Sequence, residues 1–179
     1  LQRKNMRIIE EINTDILLLE FENLFNDKQF KNQMNKKNQV SIQKRQDASV
    51  EVELSESCGE LTKEKGLRDT DFNISINLIK NTYIESIIKK FKLVRTRINR
   101  LKPGTCYIWH KDPSTRIHVP LEINEGSFMV VADDKIDMKL GYVYEIDTTK
   151  MHTAINSGTT DRYHIVGCVY QDTCSATYM

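Results

Sequence analysis

This chain of 179 residues has no surplus of one charge, no long apolar run and no clustered cysteines. Twenty-six Lys and Arg against 25 Asp and Glu leave a formal charge of +1, without the basic excess of a general nucleic-acid binder. No apolar run approaches the roughly 20 residues of a membrane helix, and the N-terminus has no signal-peptide pattern. Neither nucleic acid nor membrane is therefore expected as a partner. The four cysteines, Cys58, Cys106, Cys168 and Cys174, have no CxxC spacing and read as reduced thiols of a cytoplasmic protein. A Gly-rich phosphate loop, a Ser/His/Asp arrangement, a zinc-type cysteine set and internal repeats are also missing. What the chain does have is 39% hydrophobic residues, enough for a packed core, and a length that suits one domain.

That domain, expected over 1–179, changes character near residue 92. Residues 6–12 (MRIIEEI) suit a strand, and ILLLEFENLF after Asp15 suits a helix that starts near a cap. The stretch 26–47 is rich in Asn, Gln and Lys and reads mostly as loop, with one edge strand at 40–42. Residues 53–71 are charged and Gly-punctuated, and both a lid and a plain solvated insertion fit such a loop. Ile84, Ile87, Ile88 and Phe91 recur at i, i+3, i+4 and i+7, which predicts a helix across 81–91 whose stripe covers a sheet face.

Beyond it come short β-rich runs at 93–101, 105–110, 115–123, 127–132, 142–147, 152–156 and 162–170. Pro103-Gly104, Asn124-Glu125-Gly126, Gly141 and Ser157-Gly158 punctuate them. Runs of this kind predict an antiparallel sandwich or jelly roll, the cupin-like double-stranded β-helix. The expected fold is mainly β with flanking helices: 1–92 surround the barrel and 93–170 form it.

All four histidines, His110, His118, His152 and His164, lie in the β-rich half. His110 ends an apolar run, and Asp112 follows two residues later. On extended backbone such a pair projects to one side, so an imidazole and a carboxylate can reach one metal ion. His152 opens a later strand. Two imidazoles and a carboxylate on one face of an ion form the facial triad of non-haem Fe(II) oxygenases.

The arginines add an electrostatic argument. Arg162 lies ten residues after His152; Arg116 and His118 share one strand face, as do Arg97 and Asn99. A guanidinium inside a small barrel is costly unless it meets an anion, ideally a carboxylate. A small dicarboxylate would resolve several such charges; the other reading is that these arginines face solvent. His164 shares a strand face with Arg162 and reads as a core histidine, with a substrate contact as the other reading. Asp147 either orients His152 or serves a turn, and Tyr107 and Trp109 are assigned to packing.

The run Pro103-Gly104-Thr105-Cys106-Tyr107-Ile108-Trp109-His110, then Arg116-Ile117-His118, then His152 with Arg162 ten positions on, resembles the aspartyl/asparaginyl β-hydroxylase family. The likeness spans roughly 93–170. It implies a cupin-fold oxygenase that uses Fe(II) and 2-oxoglutarate with dioxygen. By that resemblance His110 and His152 ligate iron, and Arg162, helped by Asn99, holds the distal carboxylate of 2-oxoglutarate. Arg116 and His118 would contact the substrate or the proximal end of the cosubstrate. The animal members have glycine where this chain has Asp112. Here Asp112 completes the triad, as in the related free-proline hydroxylases, and speaks against a halogenase. The implied reaction is hydroxylation of an amino-acid residue or a free amino acid carrying an anionic group, with succinate and carbon dioxide as co-products. A non-catalytic module binding an acidic ligand, and a metal-dependent isomerase or hydrolase, are the competing readings.

Overall fold

The computed structural model describes residues 5–59 and 66–170; Cys174 and the middle of the 53–71 loop lie outside them. In chain order the first elements are β1 (Met6–Glu11), α1 (Thr14–Leu24), α2 (Lys28–Lys37), β2 (Gln39–Ser41), β3 (Gln43–Lys44), β4 (Ile74–Ser75) and α3 (Tyr83–Lys90). There follow β5 (Leu93–Leu101), β6 (Thr105–Cys106), β7 (Arg116–Glu122), β8 (Ser127–Val131), β9 (Asp134–Ile136), β10 (Tyr142–Ile146), β11 (His152–Asn156) and β12 (Arg162–Val169). They fall into two compact units. One takes the chain up to Thr14 together with Asn99–Val166; the other takes Asp15–Ile98 and the chain from Gly167.

In the first unit one sheet has the order β1-β10-β7-β12-β5, with β5 from Asn99 onward and β12 up to Val166. The second sheet has the order β6-β11-β8-β9. Counted from β5 to β12, the first, third, sixth and eighth strands lie in one sheet, the second, fourth, fifth and seventh in the other. That alternation is the strand order of a jelly roll, or double-stranded β-helix. The fold is therefore the expected one, mainly β with three helices.

Register assigns the inner face, because residues paired across strands project to the same side. Ile146 pairs with Met6 and Arg116, and Tyr144 with His118. In the other sheet Val131 pairs with His152 and Met129 with Ala154. Met6, Met129, Val131, Tyr144, Ile146 and Ala154 belong to one apolar cluster with Leu101, Ile136 and Met138. Arg116, His118 and His152 thus share the barrel interior with this core. The Tyr144 hydroxyl accepts from the Lys139 amide at 2.8 Å, which satisfies the polar end of a buried ring.

Two expectations for this half need correction. The strand expected at 105–110 is regular only at Thr105–Cys106; beyond it the Tyr107 amide donates to the Ala154 carbonyl and His110 forms an isolated bridge with His152. β9 was not anticipated, because its three residues, DKI, are too few for an alternation signal.

The second unit holds the helices and β2, β3 and β4. α3 buries Ile84, Ile87 and Ile88 as its periodicity requires. The Glu20 carboxylate accepts from the Tyr83 and Ile84 amides at 2.7 and 2.9 Å, so an anion sits at the helix start where donors are unpaired. β2 pairs at the sheet edge beside the early part of β5, near the expected 40–42. The reading of 26–47 as mostly loop is overturned by α2. Its signals are local: Asp27 accepts from the Phe30 amide at 2.8 Å, and Asn38 closes the helix in the left-handed region at φ 58. Phe30 and Met34, four apart, are both fully buried. Two anchors among polar residues suffice for a helix but give little periodicity.

Cys58, Cys106 and Cys168 are free thiols. No helix among the described residues is long and apolar enough to cross a membrane.

At one end of the barrel the turns before β8 and after β11 press together. A Cβ on Gly126 would lie 2.3 Å from the Gly158 nitrogen, a backbone atom that cannot swing aside. Gly104 has positive φ but open space around it. Gly126→Ala is therefore expected to lower stability by about 1–3 kcal/mol. Gly104→Ala should cost roughly 1 kcal/mol or less. Thermal denaturation of the two variants side by side checks the order.

Candidate metal centre

His110 and His152 are brought together by backbone before any side chain is considered. The His110 amide donates to the His152 carbonyl at 3.1 Å, and the His152 amide returns the bond at 2.9 Å, an isolated antiparallel bridge. The two rings lie side by side with centroids 4.2 Å apart. Each ring is then steered by a carbonyl two residues back. Nδ1 of His110 lies 2.7 Å from the Ile108 carbonyl oxygen, and Nδ1 of His152 lies 2.9 Å from that of Lys150. A carbonyl only accepts, so each Nδ1 carries the hydrogen and each neutral ring keeps its lone pair on Nε2.

Asp112 is fixed by its amide, which donates to the Thr148 carbonyl at 2.8 Å. Its Oδ2 lies 3.8 Å from Nε2 of His152. One ligand atom from each of His110, Asp112 and His152 falls within 4.8 Å of the others, a group that can hold a metal ion. The structure thus brings together the three residues singled out in the sequence. The donor chemistry fits: two neutral nitrogens and one carboxylate suit a divalent transition metal, and on one face they leave further positions open. His110 is exposed, Asp112 half-buried and His152 buried. Burial pushes the His152 pKa down, and the neighbouring His110 and Arg116 act the same way. The Lys150 carbonyl and the Asp112 charge oppose them.

The arginines do not face solvent: Arg97, Arg116 and Arg162 are 8%, 2% and 5% exposed. Arg116 donates from Nε to Oδ2 of Asp112 at 3.1 Å and from Nη1 to the Ser114 hydroxyl at 2.7 Å. Thr148 Oγ1 in turn donates to the Ser114 carbonyl at 2.8 Å, so one small network holds Asp112 from both its backbone and its side chain. Arg100 lies 3.6 Å from Asp161. Arg162 differs from both: among the described residues it has no carboxylate partner. Its Nη2 donates to Nδ1 of His164 at 3.0 Å. Burial lowers its pKa to about 10, against a raising influence from Tyr107, and leaves it charged at neutral pH. Asn99 Oδ1, on β5, is buried and makes no hydrogen bond among the described residues. His118 meets His164 edge-on, ring centroids 5.8 Å apart.

Asp147 serves its turn, accepting from Thr149 and pairing with Lys150 at 3.2 Å, while the Lys150 carbonyl holds His152. Tyr107 packs against the core cluster as expected. Trp109 packs only in part: it is 49% exposed beside Ile108 at 88%, where among the described residues the segment bonds to β11 at Tyr107 and His110. The bond between His164 and Arg162 was missed. Its signal was the Arg162-x-His164 spacing, a repeat of Arg116-x-His118.

A family model for aspartyl/asparaginyl β-hydroxylases matches residues 11–171. The chain belongs to the aspartyl/asparaginyl β-hydroxylase family. No curated protein matches its sequence. Among solved structures, a cupin domain from Bordetella pertussis Tohama I is 17% identical, with a TM-score of 0.37 over 42% of this chain and 80% of its own. An RmlC-like cupin family protein with a double-stranded β-helix fold, from Methanocaldococcus jannaschii, is 13% identical, with a TM-score of 0.36 over 41% of this chain and 67% of its own. The fold of this family member rests on its own strand order.

His152→Ala should lower affinity for Co(II), a spectroscopic stand-in for a divalent ion, by at least roughly tenfold, read as loss of the ligand-field absorption. A pH dependence also follows. His152 and His164 are both held below the ordinary 6.5 by burial. Unfolding restores the ordinary value, so below it the unfolded chain takes up protons that the folded chain refuses. Their contribution to stability is full above about 6.5 and is lost as pH falls towards the lowered folded values. The thermal midpoint of the metal-free protein should drop across that range, and His152→Ala should remove part of the drop.

Proposed function

We propose that this chain is an Fe(II)- and 2-oxoglutarate-dependent oxygenase. It hydroxylates a C–H bond of an amino-acid residue or a free amino acid and releases succinate and carbon dioxide. The observation that carries this reading is the pairing of a His–Asp–His donor group with a buried arginine that has no carboxylate partner among the described residues. When bound, Fe(II) and 2-oxoglutarate together supply dioxygen activation and the two electrons that come from oxidative decarboxylation.

The chain's own residues supply binding, charge and orientation. His110, Asp112 and His152 would hold the ion, and one carboxylate against a divalent cation leaves a net positive charge for an anionic co-ligand. Arg116 keeps Asp112 in place by sharing its Oδ2, so its first role is to position a ligand. Arg162 would take the distal carboxylate of 2-oxoglutarate in a charge-assisted contact, with Asn99 beside it. His118, in the barrel interior, is left to face the substrate or the proximal end of the cosubstrate. The free thiols fit a reducing compartment, the cytoplasm.

The test is an aerobic assay of amino acids and peptides, anionic ones first, with Fe(II) and 2-oxoglutarate. The expected result is a one-oxygen mass gain coupled one to one with succinate. Arg162→Leu should raise the apparent KM for 2-oxoglutarate by roughly 10² or more. Binding of 2-oxoglutarate under air with no succinate from any substrate would favour a non-catalytic module.

A further inference from the structure

Strands β7 and β12 are neighbours, and each carries an Arg-x-His pair: Arg116 with His118, Arg162 with His164. The first arginine meets a carboxylate. The second, among the described residues, hydrogen-bonds only to the imidazole of its own pair. Arginine has donors and no acceptor, so Nδ1 of His164 must accept from Nη2 of Arg162. Nδ1 then carries no hydrogen. Burial first, then the Arg162 charge and His118, hold this imidazole well below its ordinary pKa, so it is neutral and its one proton sits on Nε2.

That Nε2–H makes no hydrogen bond among the described residues, although His164 is only 1% exposed. The great majority of buried N–H groups are paired. A donor formed by elimination and left open beside a buried cation marks a place for an acceptor that the chain does not itself provide. The bond to Arg162 and the open N–H lie on opposite sides of the ring, so the two donors address separated oxygens. A ligand with oxygens at both ends meets that demand.

We propose that His164 is a specificity-determining residue of the anion pocket. Its Nδ1 fixes the Arg162 guanidinium, and its Nε2–H donates to a second oxygen of the 2-oxo dicarboxylate whose carboxylate Arg162 holds. This rests on the function proposed above and adds to it a residue outside the motif through which the family was recognised.

The experiment is titration of 2-oxoglutarate into the Co(II)-loaded full chain by calorimetry, with Co(II) affinity measured separately by absorption. His164→Leu removes both ring functions. His164→Asn keeps an acceptor where Nδ1 lies and removes the far donor, and His164→Gln can return an amide N–H near Nε2. The 2-oxoglutarate Kd is expected to weaken roughly tenfold in His164→Asn and further in His164→Leu, with partial recovery in His164→Gln and Co(II) affinity unchanged in all. Wild-type affinity in His164→Asn overturns the donor role, and this variant decides the matter if His164→Leu does not fold. An equal loss of Co(II) affinity also overturns the proposal, by making His164 part of the metal scaffold. If the unsubstituted chain takes up Co(II) and no 2-oxoglutarate, the oxygenase reading itself fails and the proposal falls with it.

Discussion

Two reciprocal backbone hydrogen bonds between His110 and His152 are the constraint from which the rest of the site follows. They join a segment that has left the regular strand β6 to the first residue of β11. Side chains contribute to the centre only because this bridge has already set their origins side by side. Asp112 comes next, through its amide bond to the Thr148 carbonyl just before β11. The jelly-roll order makes this possible, since it lays chain segments about forty residues apart against one another at one end of the barrel.

Among the described residues, buried arginine charge is mostly cancelled locally, on either face of the sheet. Arg116 and Asp112 form a pair, as do Arg100 and Asp161. Arg162 has no carboxylate partner among the described residues, and the cost of burying it shows in its lowered pKa. A protein retaining an uncompensated guanidinium at 5% exposure would gain stability by replacing it with an apolar side chain. Its presence is better understood as a binding function than as a contribution to folding. The same reasoning applies, at lower cost, to the open Nε2 of His164.

Much of this was legible in the residue order. Short β-rich runs between turn residues at 93–101 and 162–170 located β5 and β12, and the His110-x-Asp112 spacing with a distant His152 located the donors. These signals are strong because strand geometry has a period of two and metal chemistry accepts few residue types. What stayed hidden depends on geometry that spacing does not encode. α2 rests on two buried anchors, Phe30 and Met34, and on an Asp27 cap within a polar stretch. Arg116 was assigned to a ligand, and the pairing of its Nε with Asp112 appears only once the 112–116 segment has a shape. Trp109, expected to pack, lies half outside because regular strand pairing stops short of it.

Both imidazoles of the candidate centre are oriented by peptide carbonyls, those of Ile108 and Lys150, where many metal sites use a carboxylate side chain for the purpose. Every amino acid brings the same carbonyl, so no point substitution at either position deletes the acceptor. The rim of the centre is thereby released from the duty of holding its ligands. Residue 108, which projects almost wholly into solvent, can drift in size and polarity while the imidazoles keep their aim. Divergence can begin at such a position without first dismantling the donor group.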